Sequence, residues 1–172
     1  MDEIQLLDTV LASTFVKADV LRRLRIVREY LEQRFFTPGE KKDLSDYFVV
    51  HHVSVDDQVV IKSWDGGFFK SFNKENAYDF LDKMSKRVNV LPTVNMYVPI
   101  VLDAGQTAKI GQWMRENIDK EVLIELHIEP SSFGGCAFAY NGVYSDYSLR
   151  HYMHKNMDGI RKVLDGYATN KP

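Results

Sequence analysis

The side chains of this chain that could do chemistry are one cysteine, five histidines and a closely spaced aspartate and serine. Cys136 lies in an apolar, alternating segment. A nucleophilic cysteine needs a lowered pKa and a neighbouring base, and the local sequence supplies neither. We therefore expect a buried, unreactive thiol. The alternative is a small α/β enzyme that uses Cys136 or His127 in a cleft lined by groups with perturbed pKa values.

Asp146 and Ser148 lie at the start of the last predicted helix. An aspartate followed two residues later by a serine is typical of a helix N-cap, where side-chain oxygens accept hydrogen bonds from free backbone N–H groups. The local spacing places no histidine that could activate Ser148. We expect a structural role for both residues and no catalytic residue in the chain.

Two histidines of the last helix, His151 and His154, could share a face with Asp158 as a weak metal pair. The usual zinc pattern, with histidines at i and i+4 and a third ligand, is absent. A polar helix face is the better interpretation. We expect no metal ligand and no cofactor.

The pair Gly134-Gly135 is too short for a phosphate-binding loop, and no dinucleotide-binding glycine pattern surrounds it. We interpret it as a corner that needs positive φ and a close approach of the backbone.

Five arginines cluster on the second predicted helix, at positions 22, 23, 25, 28 and 34. Glu29 and Glu32 dilute their charge, which favours a solvated helix face. Docking onto an acidic partner helix or surface is the alternative.

Composition limits the classes of function. The chain has 172 residues, 45% of them hydrophobic and 27% charged, with a net charge of -2. Residues 1–91 carry 14 basic and 15 acidic side chains, and residues 92–172 carry 8 and 9. Neither half offers the field that nucleic acid follows, so no nucleic-acid partner is expected. The acidic, amphipathic start is unlike a secretory signal, and no apolar run approaches the ~18 residues of a membrane span. Membrane contact is expected only through partners.

Apolar residues recur every three or four positions through residues 1–91, which predicts five or six helices in an all-α bundle. Residues 37–40 predict one helix start, with Thr37 as the cap, Pro38 at the first helical position and Glu40 completing a capping box. The second helix has the longest apolar face. It could belong to the core or line a groove for a partner helix, and it comprises Val20, Leu24, Val27, Leu31 and Phe35.

The periodicity changes near Pro92, where apolar and polar residues begin to alternate. Residues 92–172 predict the order strand, helix, strand, strand, strand, helix. Asn141-Gly142 predicts a two-residue hairpin turn. The clearest strand should bury four side chains on one sheet face, namely Val122, Ile124, Leu126 and Ile128. The predicted fold class is therefore α+β: an N-terminal helical bundle, residues 1–91, followed by a small α/β unit, residues 92–172.

One stretch, residues 129–150, resembles the C-terminal signature of the delta subunit of F-type ATP synthases, the homologue of the mitochondrial oligomycin-sensitivity-conferring protein. That pattern is a hydrophobic strand, an acidic residue, proline, a Gly-Gly corner, two strands and Asp-x-Ser before an amphipathic helix. The order of elements agrees over residues 93–165. The matching positions are Glu129, Pro130, Phe133, Gly134, Gly135, Asp146, Ser148 and Leu149.

This resemblance implies a connector and not an enzyme. The N-terminal bundle would bind amphipathic N-terminal helices of the alpha subunits of the catalytic head. The C-terminal unit would bind the b subunits of the peripheral stalk. Together they would form a static link, on the cytoplasmic side of the cell membrane, that resists rotor torque during proton-driven ATP synthesis. A generic cytoplasmic helical adaptor is the alternative outside this family.

Overall fold

Helices occupy most of the first half of the chain, and a small sheet follows them. The computed structural model describes residues 2–37, 43–64 and 66–169. Of the predicted helix start at residues 37–40, only Thr37 is among these, and it ends a helix; the other three positions lie outside the described residues. The predicted α+β class is confirmed.

Six helices precede the first strand within the described part of the chain. They are α1 (Glu3–Ser13), α2 (Lys17–Phe36), α3 (Leu44–Val50), α4 (Val55–Ser63), α5 (Gly66–Lys70) and α6 (Ala77–Val90). The remaining elements are β1 (Thr93–Val98), α7 (Ala104–Asn117), β2 (Leu123–Ile128), a 3-10 helix (Pro130–Ser132), β3 (Ala137–Tyr140), β4 (Val143–Asp146), α8 (Leu149–Lys155) and α9 (Met157–Thr169).

The chain forms two compact units. The first comprises residues 1–93 and 103–124, and the second comprises residues 94–102 and 125–172. Helix α7 and the start of β2 thus belong to the helical unit, although residues 94–102, which precede them in the sequence, belong to the second unit. The division of the chain into domains at residue 91 stays a prediction.

The first unit is held by one apolar core. Its largest fully buried side chains include Tyr47, Phe48 and Phe68, and edge-to-face ring contacts extend from Tyr47 to Tyr30 and from Phe68 to Phe72. Such pairs add about 0.5–1.5 kcal/mol each beyond the area they bury. Aromatic packing therefore contributes much of what holds these short helices together.

Arg115 fastens α7 to the rest of this unit. Its guanidinium donates to the carbonyls of Leu11 and Thr14 at the end of α1, the second over 2.7 Å, and to that of Val122 over 3.3 Å. It also lies over the ring of Phe15, 4.4 Å from the centroid. Burial lowers the pKa of Arg115. Hydrogen bonds to these three carbonyl oxygens offset the cost of burying the charge.

A four-stranded sheet has the order β2-β1-β3-β4. β3 is antiparallel to both neighbours, with Tyr97 opposite Ala137 and Ala137 opposite Asp146. The β3–β4 turn is the predicted two-residue turn: Asn141 and Gly142 have φ of 48° and 76°, as a type I′ hairpin requires.

The expectation for β2 was partly wrong. Val122 and Ile124 are buried as predicted, but Leu126 is only half-buried and Ile128 is 49% exposed. Leu123, on the opposite face, is fully buried. Burial thus falls along the strand instead of following one face. β2 lies at the edge of the sheet, and its start is covered on the other side by a parallel bridge between Ile124 and Val16.

Candidate functional site: the glycine corner and the C-terminal helices

The predicted glycine corner exists, but its left-handed residues are Phe133 and Gly135, with φ of 61° and 71°. Glu129 precedes the 3-10 helix, and Pro130 takes its first position, where a missing N–H costs nothing. The Ser132 hydroxyl donates to the Glu129 carbonyl over 2.9 Å and steadies this turn. The corner is therefore defined by backbone conformation and short local hydrogen bonds.

Gly135 is required by space as well as by φ. A Cβ atom at this position would overlap the carbonyl oxygen of Tyr147, whereas one at Gly134 would make an ordinary contact with Leu149. The backbone is also fixed here, because Leu149 N donates to the Gly134 carbonyl and Tyr147 N donates to the Cys136 carbonyl, each over 2.9 Å. The corner thereby positions the start of α8.

The motif residues Asp146 and Ser148 form the predicted N-cap. Asp146 Oδ1 accepts from the Ser148 N–H over 2.8 Å, and Ser148 Oγ accepts from the His151 N–H over 3.2 Å. Hydrogen bonding from Ser148, first from its side chain and then from its backbone, holds the pKa of Asp146 below its usual value. Ser148 is buried in this role. The hydroxyl is engaged as an acceptor, which accounts for the motif without catalysis.

Helices α8 and α9 expose large apolar side chains. Leu149, Tyr152 and Met153 are exposed on α8, and no described side chain of α9 is buried. On α9 the apolar side chains at 157, 160, 164 and 167 follow helical spacing, and Asp158, Lys162 and Asp165 lie on the other side. We call the set Leu149, Met153, Met157, Ile160, Leu164 and Tyr167 the C-terminal apolar face.

Phe133 adds to the exposed apolar surface of the second unit. It is 71% exposed and holds the left-handed conformation that non-glycine residues rarely adopt. Its neighbour Gly134 lies against Leu149. A large aromatic side chain held outward in a strained backbone is a feature that the core does not explain.

The predicted groove residues of α2 lie in the core. Val20, Leu24, Val27 and Leu31 are at most 2% exposed, and Phe35 is partly buried against the same core. In this arrangement they pack against other helices of the first unit, so a partner that docks on this unit would meet other side chains.

Surface valines on α3 and α4 are one exposed apolar feature of the first unit that sequence reasoning did not single out. Val55 and Val59 lie one turn apart on α4 and are 73% and 63% exposed, and Val49 and Val50 are exposed on α3. Helical spacing predicts such a pair equally well to be core, so only the packing distinguishes them.

The arginine cluster of α2 is not simply a solvated face. Arg23 is buried, and together with Arg22 it binds the carboxylate of Asp57 on α4. Ser54 Oγ donates to the same carboxylate over 2.9 Å. The prediction of a solvated face is wrong for Arg23, because its partner comes from a distant part of the sequence.

The two groups considered for an enzyme show no activating environment. Cys136 is half-buried, and burial together with Asp146 raises the pKa of its thiol. His127 stacks on Tyr97, and its Nε2 is 3.2 Å from Oδ1 of Asn95. The described residues contain no group of three or more His, Cys, Asp or Glu side chains that could hold a metal ion.

Among the described residues, no helix is both long enough and apolar enough to span a membrane. No family model matches this chain, and no curated protein matches it significantly. Function is therefore inferred from the motif, the fold and the exposed surfaces.

Proposed function

We propose that this protein is a non-catalytic delta subunit of the peripheral stalk of an F-type ATP synthase. It would link the catalytic head to the b subunits at the cytoplasmic side of the cell membrane and resist rotor torque during proton-driven ATP synthesis. The observation that carries the proposal is the C-terminal apolar face, which has no buried member and directly follows the corner and N-cap that resemble the delta signature.

The C-terminal apolar face suits a partner helix. Side chains at 157, 160, 164 and 167 recur at steps of three and four, the spacing by which one helix packs along another. Gly159 adds no bulk beside Ile160 and Val163, and a cavity of about 300 Å³ lies among these residues. Helix-in-groove docking uses such anchors. In the proposed assembly this partner is the last part of the b polypeptide.

The helical unit would bind an amphipathic helix from the start of the alpha polypeptide. Its exposed valines on α3 and α4 provide an apolar surface that the core does not use. A torque-resisting link also needs a rigid body. The continuous aromatic core and the Arg115 contacts with the end of α1 and with Val122, just before β2, support that requirement.

A point variant tests the C-terminal docking. In the full chain, Leu164→Asp should weaken binding of a purified peptide from the C-terminal end of b at least about tenfold, because burying a leucine contributes about 1.5–3 kcal/mol. Lys162→Asp is the matched control, since it introduces the same residue on the polar side of the same helix. Equal affinities of the two variants, measured by calorimetry, would contradict this docking site.

A further inference from the structure

A polar pocket of about 420 Å³ lies in the second unit, between one face of the sheet and helix α8. Its volume is within the roughly 300–1,000 Å³ of small-molecule sites. Part of its lining is buried, namely Ser132, Ala137 and Ser148. Neither the C-terminal apolar face nor the surface valines contribute to it, so what it binds is a separate question from stalk assembly.

One wall of the pocket is aromatic. The rings of Tyr97 and Tyr144 meet edge to face, with centroids 6.3 Å apart. Both side chains lie on one sheet face, because Tyr97 pairs with Ala137 and Tyr144 pairs with Ala139 across the strands. The alanine methyl groups leave room beside the rings. His127 stacks on Tyr97 with 4.9 Å between centroids and supports that ring from β2.

The aromatic wall lies in a negative field. Asp146 follows Tyr144 on the same face of β4, and Glu129 also lines the pocket. Burial, and then the charges of Asp146 and Glu129, raise the pKa of Tyr144. Tyrosine rings attract cations to their faces, and neighbouring carboxylates strengthen this preference. The strand side of the pocket is therefore suited to an organic ammonium group.

The helix side of the pocket is basic. Arg150 and His154, one turn apart on α8, both line it. The Arg150 guanidinium is exposed and uses Nη1 to donate to Ser131 Oγ over 3.0 Å. A guanidinium has five donors and binds carboxylate and phosphate groups in a bidentate manner. Ser131 in turn donates to Glu129, and His151 Nδ1 is 3.9 Å from Asp146.

We propose that this pocket binds a small zwitterion, with its ammonium against Tyr97, Tyr144 and Asp146 and its phosphate or carboxylate against Arg150 and His154. A simple anion would meet Glu129 and Asp146, and a simple cation would meet Arg150. Only a ligand with both charges complements both sides. Phosphocholine has this chemistry, either as the free molecule or as the headgroup of a lipid.

The test is a titration of the full chain with phosphocholine, followed by amide chemical shifts in NMR. Shifts should concentrate at residues 97, 131, 144 and 150. Choline alone and inorganic phosphate alone should each bind at least about tenfold more weakly, because each satisfies one side. Vesicles of phosphatidylcholine that bind the chain and are displaced by free phosphocholine would identify the lipid as the source; no vesicle binding would identify the free molecule.

Variants separate the two sides. Tyr144→Ala should weaken the binding of phosphocholine and of choline at least about threefold and leave the binding of phosphate unchanged. Tyr144→Phe keeps the ring and should keep the affinity. Arg150→Gln should weaken the binding of phosphocholine and of phosphate but not the binding of choline. Arg161→Gln, exposed on α9 outside both the pocket and the C-terminal apolar face, is the control. Absence of shifts at millimolar phosphocholine, or equal binding of phosphocholine and either fragment, would overturn the proposal.

Discussion

Arg23 and Asp57 form an ion pair inside the helical unit, with 2.9 Å between Arg23 Nε and Asp57 Oδ1 and side chains only 7% and 3% exposed. Arg23 Nη1 also donates to Thr14 Oγ1 over 2.6 Å, so the pair joins α2 and α4 to the end of α1. Arg22 completes the cluster with two further bonds of 2.8 Å to the Asp57 carboxylate.

Removing one partner of this pair should lower the free energy of unfolding more than removing both partners does. Asp57→Asn leaves a buried arginine without its counter-charge, which typically costs about 3–5 kcal/mol. The double variant Arg23→Met, Asp57→Asn leaves no buried charge, and it should recover at least about 1 kcal/mol of the free energy of unfolding. Urea denaturation of the two variants measures this difference. A double variant no more stable than Asp57→Asn would show that the unpaired charge of Arg23 is not what destabilises Asp57→Asn.

The same cluster should make stability depend on pH. Burial by itself raises the pKa of Asp57, but hydrogen bonds from Arg22, Arg23 and Ser54 outweigh it and lower the pKa to about 2, against 3.8 for the free side chain. A carboxyl whose folded pKa is depressed stabilises the fold above its unfolded pKa, and this stability is lost as pH falls through the folded value. About 2.5 kcal/mol should therefore disappear between roughly pH 5 and pH 1, most of it above pH 2.

The measurement for this prediction is urea denaturation of the wild-type chain and of the Arg23→Met, Asp57→Asn variant at pH 7 and pH 3. The double variant should lose less stability on acidification, since it lacks the titrating carboxyl. An equal loss in both proteins would assign the acid sensitivity to other groups.

Gly135→Val should destabilise the second unit by about 1–3 kcal/mol, the usual range for a strained backbone position. The new side chain would overlap the Tyr147 carbonyl and disfavour the positive φ. Gly134→Ala is the matched control, because its Cβ meets only ordinary contact distances. Hydrogen exchange should report faster opening at 137–155 and unchanged protection in α1 and α2. A thermal midpoint equal to that of the control would show that the corner tolerates side chains.

The local features of this fold could be predicted from the sequence, and the distant ones could not. The Ser148 cap and the Asn141-Gly142 turn depend on neighbouring residues, and both are present. Arg115 instead binds carbonyls more than 100 positions away in the sequence, at Leu11 and Thr14. Nothing in its own helix indicates this, so the assignment of α7 to the helical unit needed the structure.

Which apolar faces are exposed could not be predicted from the sequence either. A helical apolar pattern predicts a face but does not say what covers it. On α2 the pattern at 20, 24, 27 and 31 is core, whereas on α9 a similar pattern at 157, 160 and 164 has no buried member. Only the packing of other elements distinguishes these two cases.

The most direct test of the proposed stalk function is whether one copy of the full chain binds both partners at once. Size-exclusion chromatography with light scattering should detect a 1:1:1 complex of the chain, a peptide from the N-terminal end of alpha and a peptide from the C-terminal end of b. We expect affinities of micromolar or better for each, with neither peptide displacing the other. Failure to bind either peptide at micromolar concentration would contradict the stalk assignment and leave a generic helical adaptor as the better account.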